Sequence, residues 1–444
     1  MKIQQFEDKS LSHYAYAILS ECEKQIVLID PARDVAPYLA FSEVHEAEII
    51  GVIETHPHAD FVSGHLELHQ ILGAVIYCSK LVDAAYPHQT FDDNDEITFG
   101  NIKLKAMNTP GHSPDGISIV LEYNGKDKAV FTGDTLFIGD CGRPDLRENV
   151  GNLTAKREEL AANMYHSLRK KLMVLADDVL VYPSHGAGTL CGKALSDANS
   201  SSIGLEKMSN WSLQEMTENQ FVKTLIENQP FVPKYFSFDV ELNKKGASDL
   251  ASSIQNIRHI KGNLSDLAED IQIIDTRPAS KFKLNHLPNS INLMENGKFE
   301  TWLGSIISPE EEFYLTAETE TVLQEMIKRT AKIGYEKLIK VAFVFNFGSI
   351  KTALLDVKQF KIHLADYQII DIRNENEAKH PIFADSINIP LPELRERIQE
   401  ISTEKPIVVH CAGGYRSAAG SSILENYLLK TVSVYDLGNA VTEF

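Results

Sequence analysis

An internal repeat in the second half of the chain constrains the fold more than any other feature of the sequence. The segment Ile271-Gln-Ile-Ile-Asp275-Thr-Arg277 returns as Tyr367-Gln-Ile-Ile-Asp371-Ile-Arg373. Each copy is followed by a similar phrase, at 287–292 and 383–388, and later by a second apolar strand, at 341–345 and 407–410. Such a repeat is typical of one structural unit used twice. It predicts two copies of a small α/β domain that join near 352–362.

The N-terminal part predicts a third domain, also of the α/β class. At roughly 150 residues per domain, a chain of 444 residues suggests about three domains. Apolar strands such as 24–30 and 48–55 end at Pro31 or in polar residues, and leucine and methionine recur every four residues from Leu160 to Leu172, as in an amphipathic helix. We place the domains at 1–245, 246–352 and 353–444, with 206–245 as an extension of the first.

The charge balance and the cysteines exclude several classes of protein. The chain carries 43 basic and 62 acidic residues, a net charge of −19, which disfavours nucleic-acid and anionic membrane surfaces as partners. No apolar run approaches the ~20 residues of a membrane span, and the first residues lack the pattern of a signal peptide. The five cysteines are an odd number without a CxxC pair, so neither a disulfide framework nor a zinc knuckle is expected. These features predict a cytoplasmic protein.

Histidines and aspartates cluster at the ends of the predicted strands in the first domain. Such groups are ligands that divalent metals accept, and HxH places two side chains on one side of an extended segment. A single histidine of this kind is usually a surface or core residue, but a series at consecutive strand ends, each beside glycine or proline, predicts a metal site. The series comprises His56, His58, Asp60, His112, Asp134 and His185.

These residues match, in order, the motif positions of the metallo-β-lactamase superfamily, which the first domain resembles. The resemblance implies an αββα sandwich. Hydrolases of this superfamily carry HxHxDH and bind two metals, whereas this chain reads His56-Pro-His58-Ala-Asp60-Phe61. A phenyl ring cannot be a ligand, so Phe61 removes one ligand of the second metal. The resemblance therefore implies a single metal and argues against a two-zinc hydrolase.

The segment from Gly133 to Asp145, with its Cys141-Gly142-Arg143 core, is similar to the corresponding segment of persulfide dioxygenases. The resemblance implies one non-haem Fe(II) per chain, held by His56, His112 and Asp134. This facial triad leaves positions open for O₂ and a thiolate-like substrate. His58, Asp60 and His185 then lie around the ligands and orient them or bound water.

Three further residues have alternative interpretations. Arg143 resembles a residue at the family's substrate site, but it fits equally well a structural ion pair with Asp145 or Asp140. Tyr182 is another candidate for a residue that orients the metal ligands. Cys191 lies in a glycine-rich segment similar to one in rhodanese-fused members of the family, and it either approaches the metal or is a buried thiol in a tight turn.

The last domain contains a cysteine loop that resembles the active-site loop of rhodaneses. An apolar strand ends at Cys411, and a helix is expected to begin near Ser417. Inward-pointing loop amides, the helix N-terminus and Arg416 would stabilise a thiolate or persulfide anion. Four residues separate the two catalytic candidates Cys411 and Arg416, which suits a persulfide better than a phosphate monoester. The sulfur-binding loop is Ala412, Gly413, Gly414 and Tyr415.

The middle domain has no cysteine at its loop, which reads Phe343-Val-Phe-Asn-Phe-Gly-Ser-Ile-Lys351, and no cysteine lies between Cys191 and Cys411. We predict a non-catalytic copy. The order of domains is similar to bacterial persulfide dioxygenase–sulfurtransferase fusions that detoxify hydrogen sulfide, and is close to the staphylococcal type. That resemblance implies oxidation of a low-molecular-weight persulfide to sulfite and transfer of sulfur by Cys411 to give thiosulfate.

The expected partners are therefore the persulfide, O₂ and sulfite, and we also expect a homo-oligomer. Two alternatives stay open. One is a metal-dependent thioester hydrolase like glyoxalase II, and the other is a persulfide carrier or sensor without enzymatic activity. The metal content would separate the first from a dioxygenase, and O₂ consumption would separate the second.

Overall fold

The structure is a computed structural model that describes residues 1–146, 156–193, 195–196, 198–261, 264, 267–428 and 431–444. The chain divides into two units. The first contains residues 1–252 together with 332–334, and the second contains residues 253–331 and 335–444. Among the described residues, no helix has both the length and the apolar character that crossing a membrane requires.

Two six-stranded mixed sheets form the centre of the first unit. In spatial order, the first sheet is β1 (Lys2–Asp8), β2 (His13–Ser20), β3 (Gln25–Ile29), β4 (Glu48–Ile53), β5 (Val75–Cys78) and β6 (Gln89–Thr90). The second runs in the reverse of chain order from β12 (Ser201–Ser202) through β11 (Leu180–Pro183), β10 (Lys126–Gly133), β9 (Ile117–Tyr123) and β8 (Ile102–Asn108) to β7 (Glu96–Phe99).

The side chains of each strand alternate between the two faces of its sheet, and this alternation gives the first unit its layers. In β2, Tyr16 and Ile18 face the core between the sheets, whereas Ala17 and Leu19 face an outer layer that contains Tyr38 and Leu68. The second sheet behaves in the same way, with one face on the shared core and the other against buried helical side chains. Because side chains alternate between the faces of a strand, strands covered on both faces are apolar throughout. The result is a helix–sheet–sheet–helix arrangement.

The outer layers and the C-terminal extension of the first unit are helical. The helices are α1 (Ala36–His45), α2 (His65–Leu72), α3 (Arg157–Ser167), α4 (Ile203–Ser209), α5 (Glu218–Ile226) and α6 (Tyr235–Lys245), and α7 (Leu250–Gln255) follows where the units divide. Helix α6 has a direct structural role. Its buried Asn243 donates hydrogen bonds to the carbonyls of His58 (2.8 Å) and Phe61 (2.7 Å) and accepts one from the Ser63 amide. This contact fixes the loop that follows β4.

Two small parallel sheets form the second unit. The five-stranded sheet has the order β13 (His259–Ile260), β17 (Ile339–Val344), β16 (Phe313–Ala317), β14 (Gln272–Asp275) and β15 (Ser290–Asn292), and the four-stranded sheet has the order β19 (Ile387–Asn388), β18 (Gln368–Asp371), β20 (Ile407–His410) and β21 (Val434–Asp436). Their helices are α8 (Ala279–Leu284), α9 (Phe299–Ile306), α10 (Glu320–Ala331), α11 (Val357–Ile362), α12 (Glu375–Ala378) and α13 (Tyr415–Tyr427).

The repeated Asp-x-Arg phrase has the same structure in both copies. Arg277 donates to both carboxylate oxygens of Asp275, and Arg373 does so to Asp371, with the shortest contact at 2.6 Å in each pair. In each copy an asparagine from the following short strand donates to the backbone carbonyls of the same aspartate and arginine, at 2.8–3.1 Å. The repeat in sequence is therefore a repeated hydrogen-bond framework, which joins two neighbouring parallel strands.

Candidate functional site

The polar residues at the strand ends of the first unit meet at one edge of the two sheets. His56 follows β4, His112 follows β8, Asp134 follows β10 and His185 follows β11. Strands β3, β4 and β5 are parallel, as are β10 and β11, so their carboxyl ends lie at common edges. His56, His112 and Asp134 are all buried, and their candidate ligand atoms lie within 4.8 Å of one another.

Hydrogen bonds orient both histidines of this triad. The Nδ1 of His56 lies 3.0 Å from Oγ1 of Thr55, whose hydroxyl donates to Asp30, and the Nδ1 of His112 lies 2.9 Å from the carbonyl oxygen of Arg143. Both acceptors select the tautomer that carries its proton on Nδ1. Each Nε2 lone pair then faces Asp134, whose Oδ2 lies 3.8 Å from His56 and 3.3 Å from His112.

In the Cys141-Gly142-Arg143 segment, the backbone of Gly142 lies close to the backbone of Asp134, which explains the glycine. A Cβ atom at Gly142 would lie 2.0 Å from the carbonyl oxygen of Asp134, so only glycine fits there. This approach brings the Arg143 carbonyl to His112. The segment therefore supports a triad histidine through its backbone.

The environment of Asp134 suits a cation. Its side chain is buried, and neither carboxylate oxygen accepts a hydrogen bond from the described residues. Burial raises the pKa of Asp134 to about 7. A buried carboxylate that lies beside two imidazole nitrogens is costly to keep ionised, and a divalent metal removes that cost. The donor set of two imidazoles and one carboxylate thus fits a metal.

His58 lies in a separate buried cluster with Asp30 and Glu54. Its Nε2 is 3.2 Å from Asp30 and 3.7 Å from Glu54. Asp30 also accepts hydrogen bonds from the amide and hydroxyl of Thr55 and from the hydroxyl of Ser184. The sequence interpretation missed Asp30 and Glu54 as site residues. The position of Asp30 at a strand end, directly before Pro31, was a signal that would have identified it.

Asp60, His185 and Cys191 form a third buried cluster. The Nε2 of His185 lies 3.4 Å from Asp60 and 3.5 Å from Asp134, which links this cluster to the triad. Burial alone would lower the pKa of His185, but Asp60 and Asp134 hold it above its usual range. Burial, with the same two carboxylates, raises the pKa of Cys191 well above its usual range, which favours a thiol. Cys191 is therefore both a buried thiol and a neighbour of the triad.

Phe61 packs against His58 of the second cluster. Its buried ring packs between His58, with ring centroids 4.2 Å apart, and His13, at 3.8 Å. His13 is buried at the start of β2, and its ring also approaches that of His185 at 5.8 Å. Sequence reasoning missed His13, and its local sequence, Leu-Ser-His-Tyr, offers no motif that would have identified it.

The structure favours the ion-pair interpretation of Arg143. The side chain is fully buried, and its guanidinium donates to both oxygens of Asp145, at 2.8 and 2.6 Å. It also donates to the backbone carbonyls of Leu190, Pro230 and Phe231. These partners engage the guanidinium, which joins three segments of the first unit, and a role of Arg143 at the substrate site stays a prediction.

Replacing Arg143 with methionine should destabilise the first unit by about 3 kcal/mol, because it leaves a largely buried carboxylate and several carbonyls without their partner. The chain has two tryptophans, Trp211 and Trp302, one in each unit. Urea unfolding followed by Trp211 fluorescence, in a Trp302→Phe background, measures the change. The matched control Arg157→Met removes an exposed pair with Glu158 and should cost under about 0.5 kcal/mol. Equal stability of the two variants would contradict the assignment.

Tyr182 belongs to the core between the sheets. Its ring stacks on Phe131 with centroids 5.3 Å apart and meets Tyr16 edge-on at 5.4 Å. Burial raises its pKa. These contacts place Tyr182 in the packing between the sheets, and its role in orienting the metal ligands stays a prediction.

The predicted cysteine loop of the second unit lies between β20 and α13. Cys411 is buried, and the Gly414 amide donates to its Sγ at 3.1 Å. Gly414 has a φ of 92°, which favours glycine and turns the chain into the helix that begins at Tyr415. Ala412 and Gly413 form the exposed rim of the loop. A buried sulfur that faces a backbone amide at a helix N-terminus is suited to an anion.

The middle repeat has a different loop. After β17, Phe345 packs against the guanidinium of Arg277, 4.8 Å from the ring centroid, and Ile350 pairs with His286. Ser349, Ile350 and Lys351 line a cavity of about 810 Å³. None of the site residues predicted from the sequence is among the described residues that line this cavity. The structure thus gives this loop packing contacts in the region where the other repeat has its cysteine.

Family comparisons agree with the fold of both units. Residues 11–185 match the metallo-beta-lactamase superfamily, and residues 260–342 and 356–440 each match the rhodanese-like domain. A solved metallo-beta-lactamase from Staphylococcus aureus subsp. aureus COL is similar over 77% of this chain and 98% of its own, with 28% identity and a TM-score of 0.69. The predicted fold class, an αββα sandwich followed by two rhodanese-like domains, is confirmed.

Curated relatives of the first domain include two kinds of enzyme. The human mitochondrial persulfide dioxygenase ETHE1 is 30% identical over 183 residues, which is 41% of this chain and 66% of that protein. The cytoplasmic hydroxyacylglutathione hydrolase of Arabidopsis thaliana is 31% identical over 176 residues, which is 39% of this chain and 63% of that protein. The chain therefore matches just under two thirds of the length of these relatives. The two sequence identities are nearly equal, so they do not distinguish a dioxygenase from a hydrolase. Only individual side chains at the site can distinguish the two activities.

Proposed function

Because this chain joins a metallo-beta-lactamase superfamily domain to two rhodanese-like domains, we propose that it is a persulfide dioxygenase with sulfurtransferase activity. The observation that carries the proposal is Phe61. Its ring packs between His58 and His13, beside Asp60, where hydrolases of the superfamily have a metal-binding histidine. The triad of His56, His112 and Asp134 is left as a mononuclear site, and Cys411 supplies the second chemistry.

The triad residues would hold Fe(II). Such an ion would supply open coordination positions at which O₂ is activated beside the persulfide sulfur. The chain itself orients the ligands, through Thr55 and the Arg143 carbonyl, and buries them away from bulk water. The overall reaction is RSSH + O₂ + H₂O → RSH + SO₃²⁻ + 2 H⁺.

The cysteine loop would carry out the transfer. The Cys411 thiolate takes the outer sulfur of a second persulfide and releases RSH, which leaves a Cys411 persulfide anion. The sulfur lone pair of sulfite then attacks the outer sulfur, the S–S bond to Sγ breaks, and its electron pair returns to Sγ as thiosulfate leaves. The Gly414 amide, 3.1 Å from Sγ, and the start of α13 would stabilise the negative charge in both steps. The middle repeat, which lacks a cysteine, would take no part in this chemistry.

One measurement tests the proposal most directly. Anaerobically purified protein is mixed with glutathione persulfide or coenzyme A persulfide in an oxygen electrode, and metal is determined in the same sample. We expect O₂ uptake and about one iron per chain. Two zinc ions with thioester hydrolysis would support a hydrolase, and a persulfide-loaded protein that consumes no O₂ would support a carrier or sensor.

Phe61→His should alter the metal content. A new imidazole beside Asp60 would complete the ligand set that the hydrolases use. After dialysis against Zn(II), we expect bound zinc to rise from about one to about two equivalents per chain, measured by mass spectrometry of the metals. Phe61→Leu, which removes the ring without adding a ligand, is the control and should stay near one. Equal zinc in the two variants would argue against Phe61 as the residue that blocks the second site.

A further inference from the structure

The charge of Arg416, next to the cysteine loop, is already paired. Its two terminal nitrogens donate to the two carboxylate oxygens of Glu377, at 2.6 and 2.7 Å. The guanidinium also lies over the ring of Trp302, 5.5 Å from the centroid. The side chains are 12% and 37% exposed for Arg416 and Glu377, respectively, so the pair is partly shielded from solvent. In this arrangement the net charge that the pair presents to the loop is close to zero.

Local structure holds Glu377 in place. It belongs to the short helix α12, and the backbone amide of Asn374 donates to its Oε2 at 3.1 Å. The nearby Arg373 is bound to Asp371 and to the carbonyl of His380. Burial would raise the pKa of Glu377, but Arg416 lowers it below its usual range, so the carboxylate stays ionised near neutral pH. Glu377 is therefore a fixed negative charge directed at Arg416.

The proposed sulfur transfer brings two negatively charged groups together at this loop. Sulfite, a dianion or monoanion, must approach a Cys411 persulfide that is itself anionic. A cation at Arg416 would help that approach, but a guanidinium bound to a carboxylate on both terminal nitrogens attracts a further anion only weakly. An arriving anion must compete with Glu377 for the same donors.

We propose that Glu377 determines specificity at the Cys411 loop: by holding Arg416, it sets how strongly the loop prefers anionic over neutral reactants. The inference rests on the proposed sulfur transfer, since it concerns the charge of the acceptor. Glu377 acts through Arg416 and is a positioning residue. While Glu377 binds Arg416, the loop prefers anionic reactants only weakly. Without the carboxylate, the full positive charge of Arg416 acts on the reactants and the preference increases.

Two alkylating reagents that differ by one charge test this directly. Iodoacetate is anionic and iodoacetamide is neutral, and with both the Cys411 sulfur forms a bond to the CH₂ carbon while iodide leaves. The rate at Cys411 of the full chain is followed by mass spectrometry of its peptide. The ratio of the two rates cancels changes in the reactivity of the thiol and reports the charge preference of the loop.

In Glu377→Gln, the ratio of the iodoacetate rate to the iodoacetamide rate should rise about three- to tenfold, as expected when one partly shielded counter-charge is removed. Glu377→Asp should restore most of the wild-type ratio. Glu400→Gln is the matched control, because it removes the same charge from an exposed pair with Arg397, and it should leave the ratio unchanged. An unchanged or lower ratio in Glu377→Gln overturns the proposal.

Arg416→Gln provides a second test if Glu377→Gln does not fold. It leaves Glu377 as an unpaired negative charge, so the ratio should fall below wild type; an unchanged ratio would overturn the proposal. With sulfite as acceptor, Glu377→Gln should lower KM more than it changes kcat. Alkylation needs neither O₂ nor sulfite, so a chain that makes no thiosulfate but shows the shifted ratio would contradict the function and leave the role of Glu377 standing.

Discussion

Replacing His56 or Asp134 with alanine should remove the proposed iron and, with it, the proposed persulfide-dependent uptake of O₂. Each variant leaves only two of the three proposed ligands. Iron per chain is measured after anaerobic purification, and O₂ uptake is measured in the same preparation. His166→Ala, which changes a half-exposed histidine paired with Glu218, is the matched control and should keep both. Full iron content in His56→Ala and Asp134→Ala would contradict the assignment.

His58→Ala should be milder. The structure places His58 in the cluster with Asp30 and Glu54, so its loss acts on the orientation of the loop and the neighbouring groups. Loss of such a supporting residue usually costs roughly 10–100-fold in metal affinity or activity. Iron loss as complete as in His56→Ala would instead make His58 a fourth ligand.

Replacing Cys411 with serine should shift the product of the proposed reactions from thiosulfate to sulfite, while O₂ uptake should persist. Serine keeps nearly the same size, but an alcohol is a far weaker nucleophile near neutral pH than a thiolate and cannot carry the sulfur. The proposed iron ligands belong to the first unit and Cys411 belongs to the second, so the substitution leaves the triad unchanged. Sulfite and thiosulfate are separated chromatographically at equal O₂ consumption.

The control is Cys78→Ser, a buried cysteine of β5 whose pKa burial raises to about 12. It should yield thiosulfate like the wild type. Arg416→Ala should shift the product in the same direction as Cys411→Ser but less far, because the Gly414 amide and the start of α13 remain. Thiosulfate at the wild-type rate from Cys411→Ser, after subtraction of the spontaneous reaction, would move the transfer to another thiol, with Cys191 the next candidate.

Residues at strand ends were the most predictable part of the metal site. Apolar runs mark where strands end, and the loops at strand ends can converge at one edge of a sheet, so the series of histidines and aspartates was expected to come together. The choice of His56, His112 and Asp134 within that series came from the family resemblance. The structure brings them together, while their roles as iron ligands stay predictions. The repeat likewise predicted two similar domains, because its phrases recur in the same order.

Other parts of the site depend on packing that the sequence does not encode locally. His13 enters the site because β2 lies beside β3 in the sheet. The backbone carbonyls that accept hydrogen bonds from Arg143 belong to residues distant in sequence, Leu190, Pro230 and Phe231. Glu377 was missed for the same reason. Its partner Arg416 is far away in sequence, and a charged residue in a short helix is ordinarily a solvated one.

The Asp-Arg-Asn framework of the two repeats shows that a shared fold does not imply a shared catalytic residue. It is equally intact in the copy with a cysteine and in the copy whose loop reads Phe345-Asn-Phe-Gly348. The hydrogen bonds that hold this domain together thus do not depend on its cysteine. A duplicated domain can therefore lose the catalytic residue and still fold. Within this chain, the Asp-x-Arg phrase therefore marks the repeated fold, and the loop after the later strand shows whether a cysteine is present for chemistry.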